Sequence, residues 1–100
     1  MSLYSKTSLK RKIDKLSKLY DMTKPRDVFT LTMQEMEVAE ATAISKEVND
    51  GAVKKQTVLS LIESICDVQK VNLDLEWVAS YIDDMSVATK CKYAINKAKS

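Results

Sequence analysis

An all-α fold, a small bundle of four to five short helices, is predicted here by three observations. Gly and Pro occur once each in 100 residues, whereas a fold of many short strands needs tight turns that favour Gly, Asn and Pro. Apolar residues recur at three- and four-residue spacing in one segment after another. The composition, 45% hydrophobic and 30% charged, suits a chain that fills one modest core and is not disordered.

The first helix is expected from about Thr7 to Tyr20, with Leu9, Ile13, Leu16 and Tyr20 on one face. Lys10, Arg11, Lys12, Lys15 and Lys18 cover the rest of it. "DMTKPRD" then breaks the helix, because Pro25 disfavours helix in the residue before it. On this reading residues 1–26 form a basic N-terminal helix and linker, loosely attached to a helical core domain of residues 27–100. "VFTLT" reads as a short extended piece or, more economically, as the lead into a cap, since Thr32 and Glu35 have capping-box spacing. A second helix would run from Met33 to Val48, with Glu35, Glu37 and Glu40 near its positive end and Met33 and Met36 filling the core. Gly51 in "NDG" is the expected left-handed terminator.

The third helix, about Val53 to Val68, should bury Val58, Leu61, Ile62, Ile65 and Cys66. Asn72 or Asp74 can cap a fourth helix ending near Asp83. Ser86 can cap a fifth, with Val87, Cys91, Ala94 and Ile95 inward and Lys90, Lys92, Lys97 and Lys99 outward.

The net charge of +2 hides an uneven distribution. Residues 1–26 carry +6 and residues 27–50 carry −5; residues 71–86 add −4 and the last fourteen add +4. Alternating blocks suit self-complementary packing or a partner of both signs better than a chain that only binds nucleic acid. Hydrolytic triads usually need a His, and this chain has none. Its single Gly excludes phosphate-cradling Gly-rich loops. Asp83 and Asp84, adjacent on a helix, diverge by about 100° and more readily close the helix than share a proton or metal. Without His and without CxxC spacing around Cys66 and Cys91, no zinc site and no cofactor is expected; both thiols read as small buried hydrophobes. No apolar run reaches the length of a membrane span, and a reducing cytoplasm fits the cysteines.

Two features remain as candidate sites. Lys10, Arg11, Lys15 and Lys18 on the first helix are candidates for contact with an anion or nucleic acid, set against a merely solvated face. Little affinity for random duplex at physiological salt is expected of them, because the acidic second and fourth helices repel phosphates. In "LDLEWVASYIDD", Leu75, Ala79 and Ile82 line one helical face with Val78 at its edge, while Trp77 and Tyr81 fall on nearly the opposite one. Either that helix buries both faces, or the two aromatics anchor a protein partner or second copy. The second reading places Trp77 partly in solvent in the free monomer.

The region "LIESICDVQKVNLDLEWVASYIDDMSVATKCKYAINKA", Leu61 to Ala98, resembles the small late-transcription coactivators of T-even-like tailed phages, which dock on the β-flap of host RNA polymerase. The similar features are an apolar helix around Cys66, a polar connection, "DLEWVASYI" and, after a short break, "KCKYAI". Members of that family often end in a hydrophobic tail that engages the sliding clamp, whereas this chain ends "NKAKS", which puts clamp engagement in doubt. The resemblance implies a non-enzymatic transcription accessory protein that contacts RNA polymerase in the cytoplasm of a bacterial host. A nucleic-acid-binding helical protein and a self-assembling structural protein are the alternatives.

Overall fold

The computed structural model describes residues 3–48 and 50–84. Among the described residues it contains helices α1 (Lys6–Leu19), α2 (Pro25–Ser45), α3 (Gly51–Gln69) and α4 (75–84), and no strand. The chain is a small all-α bundle. The fifth helix expected after Ser86, and Cys91 with it, lies outside the described residues.

Ser5 caps α1, its hydroxyl oxygen accepting from Ser8 N at 3.2 Å. Asp21 then organises the connection to α2: its carboxylate accepts from Thr23 N at 2.9 Å and from Thr23 Oγ1 at 2.6 Å. These two bonds hold its carboxyl below the usual Asp range. A lowered folded-state pKa means that the contribution to stability is present above the ordinary Asp value and fades as pH falls through the folded one. Asp27, in the first turn of α2, accepts from Asp21 N at 2.8 Å and closes the corner.

The start of α2 corrects the sequence reading. Lys24 is extended, with φ −105° and ψ 116°, as a residue before Pro should be. Pro25 opens the helix, where its missing N–H costs nothing and its fixed φ is already helical. "VFTLT" is therefore helical, and Thr32 and Glu35 form no capping box. Both lie mid-helix and buried, at 0% and 2% exposure. Thr32 Oγ1 donates to Val28 O at 2.7 Å, and Lys12 of α1 places its Nζ 2.9 Å from Glu35 Oε2 and 3.2 Å from Oε1.

Gly51 does not terminate α2; it is the first residue of α3, behind Asp50, whose Oδ1 accepts from Ala52 N at 2.9 Å. The left-handed residue is Glu47, with φ 58°. Val48 N donates to Ala43 O at 2.8 Å and Glu47 N to Ile44 O at 3.1 Å, the paired bonds of a Schellman stop. Lys70 repeats this at the end of α3, again with φ 58°, where Val71 N donates to Cys66 O at 2.9 Å. A Cβ in this region costs about 1–2 kcal/mol, against about 0.5–1 kcal/mol for the extra freedom glycine loses on folding. Glu47→Gly and Lys70→Gly should each stabilise the fold by about 0.5–1 kcal/mol, read as a raised urea midpoint at unchanged slope.

The core is built around α3, on which both α1 and α2 pack. Val58, Leu61, Ile62, Ile65 and Cys66 are its buried face, the set expected from periodicity. Leu16 from α1, Val28, Leu31, Ala39 and Ala43 from α2, and Val78 and Ile82 from α4 close over it. Leu3 and Met22, on either side of α1, are buried at 1% and 2% exposure. Lys46, just past α2, donates to the Leu3 carbonyl. The N-terminal segment is thus tied to the rest by shared core residues, and the loose attachment expected at residues 1–26 is not what the packing provides.

Buried Cys66 and half-buried Tyr4 have displaced ionisation. Burial raises the Cys66 thiol, and the neighbouring Asp67 and Glu63 charges add to it, so the protonated, unreactive form is favoured. Burial also raises the Tyr4 phenol, helped by Glu35 and opposed by a hydrogen bond with Thr42. A raised Tyr pKa gives stability that is intact below the ordinary value of 10.0 and lost as pH climbs toward the folded one.

Candidate protein-contact surface

The fourth helix answers what its two aromatics face. Asp74 caps it, Oδ1 accepting from Glu76 N at 3.0 Å. Val78 and Ile82, each 1% exposed, are its deepest residues; Leu75 packs beside them and Ala79 is half-buried. With Val78 in the stripe rather than at its edge, the apolar axis turns toward Tyr81. At 100° per residue Tyr81 lies about 90° from that axis and Trp77 about 130°. Helix α4 therefore buries one face and turns the aromatics along the flank of α2.

There they meet Phe29. Its ring centroid is 4.9 Å from Trp77 with planes at 56°, and 4.5 Å from Tyr81 with planes at 53°. Tilted pairs at these separations are favourable beyond the area they bury. Phe29 and Tyr81 are half-buried, and Trp77 remains 40% exposed. Met33, one turn beyond Phe29 on the same flank of α2, is 49% exposed. The expectation of Met33 as core filling is corrected by this exposure; Met36 does pack against the core. Phe29 is the member that sequence reasoning misses, because "VFTLT" offers no helical face to place it on. Asp74, Glu76, Asp83 and Asp84 are exposed along α4, and no Lys or Arg occurs from 71 to 84. Asp83 turns to Lys55 of α3 at 2.9 Å, so the adjacent Asp83 and Asp84 do not converge.

The candidate cations lie elsewhere. Lys10, Arg11, Lys15 and Lys18 are all exposed on α1. No described carboxylate is within salt-bridge reach of them; Lys12 is the cation of α1 that pairs with α2. Gln34 and Glu35 face α1 from one flank of α2, through Tyr20 and Lys12, while Phe29 faces α4 from the other. The two sets of candidate residues are thus on opposite sides of α2 and form no single site.

Among the described residues no group of three or more His, Cys, Asp or Glu side chains could hold a metal ion, and no helix is long and apolar enough to cross a membrane. No protein-family model matches the chain, and neither a curated protein nor a solved structure is significantly similar to it.

Proposed function

We propose that this chain is a small non-enzymatic adaptor that acts through protein–protein contacts, with Phe29, Trp77 and Tyr81 as its docking patch. The observation that carries this reading is the exposure of Trp77, the single Trp, left 40% open against two half-buried rings. A partner that covers it recovers apolar burial at about 25 cal/mol per Å². Trp and Tyr are also the residues most enriched where binding energy concentrates. Resemblance over residues 61–98 supports a partner of one kind, the β-flap of a bacterial RNA polymerase, and so a phage-type transcription accessory role.

The test compares binding of the chain and its Trp77→Ala variant to purified host polymerase, with and without the β-flap. Truncation at a central interface aromatic should weaken binding by about 2 kcal/mol, roughly 30-fold. Thermal unfolding should register only about 1–2 kcal/mol, below the 3–5 kcal/mol of a fully buried Trp. Unchanged binding by a folded variant removes Trp77 from the contact. Failure of the unaltered chain to bind polymerase removes that partner and leaves the patch to another protein or a second copy.

A further inference from the structure

The outward face of α1 has no role in the contact proposed above. At 100° per residue, Lys10, Arg11, Asp14, Lys15 and Lys18 fall within an arc of about 140°. All five are exposed, and the four cations have no carboxylate partner among the described residues. The first turn of α1 also carries no acid, so the positive end of its helix dipole is not offset there. Beyond the helix, Lys18 and Lys24 share one open depression with Asp21 and Asp27, so the basic surface ends with α1.

Three classes of anionic partner could meet such a face, and the packing separates them. An amphipathic helix binds a membrane by sinking its apolar side into it. That side of α1 is already used: Leu16 is 5% exposed and Leu9, Ile13 and Tyr20 pack on the core. Single strands call for aromatics between the cations on which bases stack, and the exposed arc contains none. What remains is a rigid basic rod of 14 residues, about 21 Å long. The wide major groove of B-form DNA admits such a rod between its phosphate walls, whereas the deep, narrow one of A-form RNA does not. The expected repulsion by acidic helices is also reduced. The α4 acids lie across α2 from this face, and two acids of α2 are neutralised by other cations, Glu35 by Lys12 and Glu40 by Lys54.

We infer that α1 is a sequence-independent contact for the phosphate backbone of double-stranded DNA, made by Lys10, Arg11, Lys15 and Lys18. This contact stands apart from the aromatic patch, and either can fail without the other.

The experiment is fluorescence anisotropy of a labelled random-sequence DNA duplex titrated with the full chain across a salt series. Four neutralised phosphates give a slope of log K against log salt of about −3.6, a loss of roughly 150-fold between about 50 and 200 mM. Lys15→Gln should reduce the slope by about 0.9, and Gln at all four cations should abolish binding while helical circular dichroism is retained. Asp14→Asn, which removes the one negative charge in the arc, should tighten binding, and it tests the face even if the fourfold variant does not fold. The inference is overturned if the unaltered chain binds no duplex at the low-salt end, or if the slope survives loss of the cations. It is equally overturned if phosphatidylserine-containing vesicles are bound and DNA is not.

Discussion

A chain lacking residues 1–22 should not unfold cooperatively. The deletion removes Leu3, Leu16 and Met22, each at or below 5% exposure, together with the half-buried Leu9, Ile13 and Tyr20. Burial of one large apolar side chain contributes about 1.5–3 kcal/mol, so the three deepest alone represent about 5–9 kcal/mol. A domain of this size has about 5–15 kcal/mol in total. The truncation also opens the side of α3 on which α1 packs. The measurement is a urea titration of residues 23–100 followed by far-ultraviolet circular dichroism. A broad, non-sigmoidal loss of signal is expected; a sharp transition at an unchanged midpoint would make α1 peripheral after all.

Replacing Gln69 should cost about 2–4 kcal/mol, more than its half-buried position suggests. Its single amide serves three backbone groups. Nε2 donates to Ser17 O at 3.0 Å and to Tyr20 O at 2.6 Å, while Oε1 accepts from Met22 N at 2.9 Å. The first two carbonyls belong to the C-terminal end of α1, where helical partners run out. Gln69→Ala leaves all three groups to whatever water reaches them. Gln69→Glu keeps the acceptor for Met22 but turns a carboxylate toward two carbonyl oxygens, and should be at least as damaging. Thermal unfolding of both variants checks this. A glutamate variant as stable as the parent would mean that the two carbonyl contacts contribute nothing.

Local pattern carries α3, whose buried face follows from spacing alone, and the placing of α1 and α4 within a residue or two. The second helix is harder for a physical reason. Pro25 can stop a helix on its N-terminal side or start one on its C-terminal side, and the sequence does not say which applies. Thr32 and Glu35 match a capping motif by spacing, yet Glu35 is claimed by Lys12 from another helix. The stops at Glu47 and Lys70 are set by backbone hydrogen bonds that no glycine announces. At the aromatic patch, the periodicity of Trp77 and Tyr81 is legible, because it belongs to one helix. Their neighbour Phe29 is not, because it depends on which helix lies alongside α4.

The placement of Trp77 also determines what light can report about this molecule. It is the only Trp among four Tyr, and it is 40% open to water even in the folded chain. Its emission in the native state should therefore already lie toward longer wavelengths and be open to quenching by iodide. Unfolding then changes its surroundings little, which makes Trp emission a poor gauge of denaturation here. Coverage by a partner changes them a great deal. A blue shift and lost iodide quenching on mixing would mark the docking of a protein on that patch, while DNA held by α1 on the far side of α2 should leave the spectrum still.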